Sequence, residues 1–303
     1  MSELLLWNLC RGVLATRALA VAADLRIADE LEDGPKRIDD DVTYRILRAL
    51  ASDGVFEEVE PRVFRNNEAS DLLRSAGWRD LAHFFGGVWL QAIGELDANG
   101  GATFPRMFGD DFWSWLGAHP DERAAFDRAM AHGKEGTAAR LDDVEWRGGE
   151  TVVDVGGGDG SLLRALLERE PRLTGVVFDL PETQRDESRF GERLTFVAGS
   201  FFDSVPPADA YVLHGVLHDW DDEHALAILR TMRAAAHDDT RLLLLEEVVG
   251  PGEESAGAKW LDLLMLVLAD GRERDEEQWR ALLGASGWEI VRMHSKLIEA
   301  RCR

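Results

Sequence analysis

The fold is decided by the stretch V-V-D-V-G-G-G-D-G-S-L-L-R-A-L-L-E-R at residues 152–169. An apolar run that contains Asp154 leads into a glycine-rich turn, and leucines at helical spacing follow. Glycine lets the backbone approach a ligand where a Cβ would clash, and the first N–H groups of a helix are free to bind one. The pattern predicts a buried strand, a ligand-binding turn and a helix that begins near Gly160.

The spacing of the glycines narrows the class of ligand. A dinucleotide fingerprint counted from Gly156 and Gly158 requires a third glycine at position 161, where this chain has Ser161. A P-loop requires Lys followed by Ser or Thr after the last glycine, and that pair is missing. The carboxylate of Asp154 would repel pyrophosphate and attract a cationic amino group. The turn therefore favours a ligand with an amino group and no phosphate, and disfavours a nicotinamide-dependent oxidoreductase.

A second acidic residue, Asp179, closes the next apolar run, V-V-F-D-L-P. An acidic residue at the end of the second strand can accept hydrogen bonds from both ribose hydroxyls of a nucleoside. The alternative interpretation is a turn or capping residue before Pro181.

The second half of the chain alternates between strand and helix patterns. The predicted strands are T-V-V-D-V, G-V-V-F-D, L-T-F-V-A, A-Y-V-L-H-G-V, R-L-L-L-L-E and E-I-V-R-M, and the predicted helices cover 160–169, 222–236, 257–269 and 275–286. This alternation predicts an α/β domain with a mostly parallel sheet that is covered on both faces.

The first half has helical patterns. Helices are predicted over 4–31, 42–53, 70–99, 110–118 and 121–145, with a two-stranded wing in V-F-E-E-V-E-P-R-V-F-R-N-N at 55–67. This is a winged-helix outline. The predicted division is a winged-helix-like domain over 1–100, linking helices over 101–146 and an α/β domain over 147–303.

Charge and composition exclude several classes of function. The 303 residues include 34 Lys and Arg against 57 Asp and Glu, which gives a net charge of −23. A chain with this much negative charge is a poor binder of nucleic acid. The winged-helix outline therefore favours protein–protein association over DNA binding. The only cysteines, Cys10 and Cys302, lie at opposite ends, and no Cys/His group has zinc spacing. We therefore expect no disulfide framework and no metal.

The N-terminal segment predicts an amphipathic helix with an exposed apolar face. Its apolar residues are Leu4, Leu5, Leu6, Leu9, Val13 and Leu14. Such a patch is typical of an interface, so we expect a homodimer built largely from residues 1–100. Charged residues interrupt the segment, and no unbroken run of ~18 apolar residues is present. The sequence therefore predicts a cytoplasmic protein with no membrane partner.

Together the motifs resemble those of the S-adenosylmethionine-dependent small-molecule O-methyltransferases, which include plant phenolic and bacterial antibiotic-pathway enzymes. The similarity runs over nearly the whole chain. It rests on F-D-R-A-M at 126–130, D-L-P at 179–181, G-S-F-F-D at 199–203, V-L-H-D-W-D-D-E at 216–223, L-D-L-L-M-L at 261–266 and G-R-E-R at 271–274. The resemblance implies a Rossmann-like class I methyltransferase domain, an N-terminal winged-helix-like dimerisation domain and an intertwined homodimer.

The resemblance also assigns site residues. It implies that S-adenosylmethionine, which becomes S-adenosylhomocysteine, binds at Asp154, Gly156, Gly158, Asp179, Leu180, Ser200, Phe201 and Trp220. It makes His218 the general base, with Glu246 and Glu273 beside it. Three features depart from the family: many relatives have Asp in place of Ser200, Glu247 competes with Glu246, and the segment 34–44 is short, so one N-terminal helix could be missing.

The residues themselves support a base at His218. It follows an apolar strand and so lies at the carboxyl edge of the sheet, where ligands of open α/β sheets bind. A neutral imidazole at pH 7 can take the proton of a phenol, and a carboxylate on its other nitrogen fixes the tautomer. The alternative is that His218 merely leads into the next helix, which Asp221 or Asp222 caps.

The acceptor pocket is predicted from Phe126 and Met130, four residues apart on one helix, and from Met265 on another. Thioethers pack adaptably against an aromatic ring, although core packing would explain the same spacing. The expected activity is O-methylation of a hydroxyl of an aromatic secondary metabolite. The alternatives are methylation of nitrogen, use of the cofactor without methyl transfer, and a DNA-binding regulator.

Overall fold

The computed structural model describes residues 2–98, 100–183, 185–186, 188, 190–252, 255–294 and 296–303, except for the side chain of residue 135. The chain divides into an N-terminal unit, Met1–Glu95 with Ala124–His132, and a C-terminal unit, Leu96–Arg123 with Gly133–Arg303. This differs from the predicted division, because the segment 101–146 is shared between the two units. Ala124–His132 joins the N-terminal unit through packing of Phe126 against Phe84.

The N-terminal unit consists of helices around a small sheet. The helices are α1 (Ser2–Asp24), α2 (Ile27–Glu30), α3 (Asp41–Ser52), α4 (Glu68–Asp71), α5 (Ala76–Gly86) and α6 (Val88–Gly94), and the strands are β1 (Lys36–Arg37), β2 (Glu57–Glu60) and β3 (Val63–Arg65), in the order β1-β3-β2. The predicted helix over 4–31 breaks at Arg26, whose φ of 55° is left-handed. The short segment 34–44 supplies β1 and the capping residue Asp40, which accepts a hydrogen bond from the Thr43 backbone.

Helix α1 has a largely exposed apolar surface. The side chains of Leu4 and Leu14 are 62% and 74% exposed. By length and composition this helix could cross a membrane, because only Arg11 and Arg17 carry charge between residues 4 and 21. The prediction that the protein has no membrane partner stays a prediction, because it rested on the absence of an unbroken apolar run and this helix passes a test of length and composition. Signal sequences and core helices of soluble proteins pass the same test, so one such helix is weak evidence for a membrane span.

The C-terminal unit is built on a seven-stranded sheet. Its strands are β4 (Thr151–Val155), β5 (Thr174–Asp179), β6 (Leu194–Ala198), β7 (Ala210–His214), β8 (Arg241–Leu245), β9 (Trp288–His294) and β10 (Leu297–Cys302). The order is β6-β5-β4-β7-β8-β10-β9. Strands β4 to β8 are parallel, and β10 pairs antiparallel with both β8 and β9. The α/β class is confirmed, but strand β10 was not predicted.

Helices cover both faces of this sheet. Helix α11 (Ser161–Arg169) packs on one face, and α12 (Asp222–Ala235) and α14 (Glu276–Ala285) pack on the other. The C-terminal unit also contains α13 (Ala256–Ala269) and the shorter helices α7 (Thr103–Phe108), α8 (Phe112–Ala118) and α10 (Lys134–Thr137). The longer α9 (Pro120–Ala131) crosses from the C-terminal unit into the N-terminal unit at residue 124.

Burial follows the two-residue period of the strands. Val153 and Tyr211 belong to one buried cluster and their neighbours Val152 and Val212 to another, because successive side chains point to opposite faces. The strand order reverses between β4 and β7, and crevices at such a switch point bind ligands at the carboxyl ends of the strands. The fold therefore brings the glycine turn after β4 beside the segment that follows β7.

Candidate active site

The glycine turn after β4 is folded against β5. Gly156 and Gly158 have φ values of 73° and 61°, in the left-handed region that favours glycine. The backbone N–H of Gly156 donates to the carbonyl of Phe178 over 2.8 Å, and a Cβ on Gly156 would lie 2.8 Å from a methyl of Val216. The turn therefore needs glycine for its backbone conformation and for the close approach of the segment after β7.

Asp154 is a buried carboxyl at the base of this turn. Its side chain is 1% exposed, and Oδ2 has no hydrogen-bond partner among the described residues. Burial raises its pKa to about 7, Lys134 opposes the rise by attraction, and the charges of Asp179 and Asp159 add to it. An unpaired buried oxygen of this kind is costly and marks a position where a ligand donor is expected.

Asp179 already holds its own turn. Oδ2 accepts a hydrogen bond from the N–H of Gly158 over 2.8 Å, and Oδ1 accepts from the N–H of Leu180 and the hydroxyl of Thr183, both over 2.7 Å. The Thr183 hydroxyl in turn accepts from the buried Arg123. The turn interpretation is therefore correct as far as it goes. Each carboxylate oxygen has two acceptor sites, so these bonds fill both sites of Oδ1 and leave one site on Oδ2 for a ribose hydroxyl.

The predicted adenosine neighbours lie near one another. Phe201 and Trp220 meet edge to face with ring centroids 5.9 Å apart, and Phe202 packs against the same indole at 4.8 Å. The Ser200 hydroxyl accepts the backbone N–H of Phe202 over 3.2 Å. The structure thus assembles an aromatic group at the carboxyl edge, with Ser200 fixing a turn beside it.

His218 lies in the short 3-10 helix Leu217–Asp219 after β7, and its ring is 16% exposed. Nδ1 lies 2.6 Å from Oε1 of Glu273, whose side chain is fully buried. Nε2 lies 3.6 Å from Oδ1 of Asp219. A carboxylate on Nδ1 favours the tautomer that has its proton there, so Nε2 is the nitrogen that can accept a proton.

Glu246, and not Glu247, is the second glutamate at His218. Its Oε2 lies 3.9 Å from Nδ1 of His218. Its Oε1 accepts the backbone N–H groups of Val216 and Leu217 over 3.0 and 2.8 Å. Glu247 instead forms an ion pair with Lys296 over 2.9 Å. Glu246 therefore holds the loop that carries the ring, while Glu273 contacts the ring itself.

The charge state of His218 differs from the expectation of a neutral ring at pH 7. Burial alone would lower its pKa, but attraction to Asp219, Glu246 and Glu273 outweighs burial and raises the pKa to about 10. The same crowding, with burial as the largest cause, raises the pKa of Asp219 to about 7. Glu246 and Glu273 were predicted from the sequence, whereas Asp219 was missed although it directly follows His218 in the H-D-W motif.

The segment Gly271–Arg274 forms hydrogen bonds with the loop that carries His218. The N–H of Arg272 donates to the carbonyl of His218 over 2.8 Å, and a Cβ on Gly271 would overlap the same carbonyl. Arg274, which is 0% exposed, donates to the carbonyls of Leu217 and Trp220, each over 2.8 Å. The G-R-E-R motif therefore fixes the loop by its backbone and its arginine, and the ring by Glu273.

The three predicted acceptor residues lie in different units. Phe126 and Met130, on α9, are half-buried in the N-terminal unit, and Met265, on α13, is buried in the C-terminal unit. Phe126 contacts Phe84 edge to face at 5.9 Å. Within the described part of the chain, no group of three His, Cys, Asp or Glu side chains is arranged to hold a metal ion.

The residues at the turn fit the implied cofactor. The unpaired oxygen of Asp154 suits an amino group, and the glycine backbone leaves room where a side chain would intrude. Asp179 lies at the end of β5, where a ribose would bind. These features match the amino-acid and nucleoside parts of S-adenosylmethionine.

Comparison with known proteins identifies the family of the chain. Residues 90–289 match the family model of the O-methyltransferase domain. The phenazine O-methyltransferase PhzM of Lysobacter antibioticus is 35% identical over an alignment of 312 positions, which covers 95% of this chain and 92% of that protein.

Two solved structures extend the similarity to the fold. The crystal structure of LaPhzM has 33% identity and a TM-score of 0.93, with 100% of both chains covered. The O-methyltransferase NcsB1 of neocarzinostatin biosynthesis, crystallised with S-adenosylhomocysteine and 1,4-dihydroxy-2-naphthoic acid, has 32% identity and a TM-score of 0.81 over 95% of this chain and 96% of that chain. Because the family model covers more than half of the chain and the relatives match nearly all of it, this protein belongs to the family of S-adenosylmethionine-dependent small-molecule O-methyltransferases.

Proposed function

We propose that the protein methylates a phenolic hydroxyl of an aromatic secondary metabolite, with His218 as the general base. The observation that carries the proposal is the 2.6 Å contact between Nδ1 of His218 and Oε1 of Glu273, at the carboxyl edge of the sheet beside the glycine turn. The relatives named above act on a phenazine or were crystallised with a dihydroxynaphthoic acid, which supports a flat aromatic acceptor.

S-Adenosylmethionine, when bound, supplies a methyl group that its sulfonium already activates for displacement. The chain holds it through Asp154, Gly156, Gly158, Asp179, Leu180, Ser200, Phe201 and Trp220. The protein must then align the acceptor oxygen and remove its proton. In this proposal Nε2 of His218 accepts that proton, while Glu273 keeps the other ring proton on Nδ1 and stabilises the imidazolium that forms.

The carboxyl groups set the pH at which this base works. A ring whose pKa lies near 10 is protonated at neutral pH and must lose that proton before it can act. Removal of the ring proton is therefore expected well above pH 6.5, the ordinary value for histidine. The pH dependence of methyl transfer should reflect the three surrounding carboxyls rather than an isolated imidazole.

The N-terminal unit has a different role in the proposal. Helix α1 exposes Leu4, Leu5, Leu6, Leu9, Val13 and Leu14 on its surface. A contiguous apolar patch of this kind marks an interface, so we assign it to a homodimer in the cytoplasm rather than to a membrane. The acceptor contacts of Phe126, Met130 and Met265 rest on their helical spacing and on the adaptable packing of thioethers against an aromatic ring, and substitution of each should raise the KM for the acceptor.

The activity is tested with a matched panel of phenols and anilines that share the same ring systems. Each compound is incubated with the protein and S-adenosylmethionine, and products are located by mass spectrometry. We expect a gain of one methyl on oxygen for at least one phenol. Methylation of the anilines alone, or consumption of the cofactor without a methylated product, would replace this proposal with one of its two alternatives.

A further inference from the structure

Lys134 is a buried cation that lies against the glycine turn. It begins helix α10 and is 8% exposed. A Cβ added to Gly158 would lie 3.3 Å from its Nζ. Lys134 and Gly158 belong to the same compact unit, so this contact lies within one body. The ammonium therefore reaches the part of the turn where the backbone is left bare.

Two opposite charges flank the turn, and neither forms an ion pair with another of the described residues. Attraction to Lys134 partly offsets the rise in the pKa of Asp154, so the two charges interact. Yet Lys134 is not within 4 Å of any described carboxylate oxygen, and Oδ2 of Asp154 has no hydrogen-bond partner in the described chain. A buried ammonium and a buried carboxylate that interact without forming an ion pair are suited to a ligand that bears both charges.

An α-amino acid has this charge pattern, because its ammonium and carboxylate are attached to one carbon. We propose that Lys134 binds the carboxylate of the amino-acid end of S-adenosylmethionine, opposite Asp154, which faces the amino group. This inference rests on the proposed cofactor. A lysine elsewhere in the site would repel the sulfonium, so its charge is favourable only where it meets the carboxylate. Charge-assisted hydrogen bonds in a desolvated site are among the stronger polar contacts.

The test separates the amino-acid end from the nucleoside. Binding of S-adenosylhomocysteine and of 5′-methylthioadenosine, which lacks the amino-acid end, is measured by calorimetry. We expect Lys134→Met to lower the affinity for S-adenosylhomocysteine roughly 10- to 100-fold. The same variant should bind 5′-methylthioadenosine with unchanged affinity. Lys134→Arg should restore much of the affinity for S-adenosylhomocysteine. Lys36→Met, which removes an exposed lysine of the N-terminal unit, is the matched control and should bind both ligands as the wild type does.

The outcomes distinguish this inference from the proposed function. Unchanged binding of S-adenosylhomocysteine by Lys134→Met overturns the inference alone. An equal loss for both ligands also overturns it, because Lys134 would then support the turn instead of recognising a carboxylate. A wild-type protein that binds neither ligand overturns the cofactor assignment, and with it this inference.

Discussion

The Nδ1 atom of His218 lies 2.6 Å from Oε1 of Glu273, although 55 residues separate them in the chain. Glu273 is fully buried, and its backbone N–H donates to Asp262 of α13 over 2.9 Å. The position of the glutamate is therefore fixed by a backbone hydrogen bond as well as by the contact of its side chain with the ring. This arrangement makes the orientation and the pKa of His218 properties of the fold, and each can be changed by substitution.

Glu273→Gln should shift the pH dependence of the reaction. Removal of one negative charge lowers the pKa of His218 from about 10 towards its ordinary value. The rise of kcat/KM with pH should therefore move to lower pH, while the plateau falls because the imidazolium loses its counter-charge. Profiles are measured with one acceptor for both proteins, so that ionisation of the phenol affects both equally.

The matched control for that experiment is Glu247→Gln. Glu247 pairs with Lys296 and does not contact the ring, so its removal should leave the profile in place. A profile for Glu273→Gln that coincides with the wild type would show that His218 does not set the pH dependence.

Gly271→Ala should slow methyl transfer. The new Cβ would overlap the carbonyl of His218 and displace the loop that carries the ring. We expect kcat to fall at least tenfold, the scale on which a small misplacement of a catalytic group is felt. Gly284→Ala is the control, because a Cβ there meets nothing within 4 Å on helix α14. Equal kcat values for the two variants would argue against a role for the close contact between Gly271 and the carbonyl of His218.

Much of the C-terminal unit could be predicted because its strands are apolar runs followed by glycine or acidic residues. Strand β10 was missed because L-I-E-A-R-C alternates apolar and charged residues near the end of the chain, and only the sheet reveals that Ile298 and Ala300 are buried. The raised pKa of His218 was not predicted, because the combined attraction of Asp219, Glu246 and Glu273 depends on distances that only the folded chain defines.

The buried cations were hidden for a related reason. Arg274 stands in the G-R-E-R motif, yet it contacts two backbone carbonyls and the carboxylate of Asp222, which lies 52 residues away, and the sequence indicates neither kind of contact. Lys134 carried no signal at all, because a single lysine after a glycine usually lies on the surface. Partners of charged residues become visible only when the chain is folded.

Asp154→Asn should stabilise the free protein, increasingly so at higher pH. The pKa of Asp154 is raised to about 7, so its contribution to stability is present below the ordinary value and is lost as pH rises towards 7. Asparagine does not titrate, and its advantage in unfolding free energy should grow by about 2–3 kcal/mol between pH 5 and pH 8. Urea unfolding at both pH values measures this difference.

Asp203→Asn, which changes an exposed carboxyl of the same unit, is the control and should show no such growth. If the difference in unfolding free energy between Asp154→Asn and the wild type is the same at both pH values, ionisation of Asp154 does not destabilise the folded protein.

The dimer is tested through helix α1. The wild type should scatter light as a dimer at micromolar concentration, and the double variant Leu5→Glu, Leu9→Glu should be a monomer because charges oppose burial of the patch. Val42→Glu, which changes an isolated exposed residue of α3, should remain dimeric. A monomeric wild type, or one that instead associates with lipid vesicles, would contradict the assignment of this helix to a dimer.

The central claim, that His218 takes the proton of the acceptor, is tested most directly by the kcat of His218→Gln at saturating cofactor and acceptor. The affinity for S-adenosylhomocysteine is measured on the same preparation. A positioned general base contributes roughly 10²–10⁴-fold, so kcat should fall by about that factor while cofactor affinity stays close to that of the wild type. A folded variant that binds the cofactor normally and turns over at nearly the wild-type rate would contradict the claim.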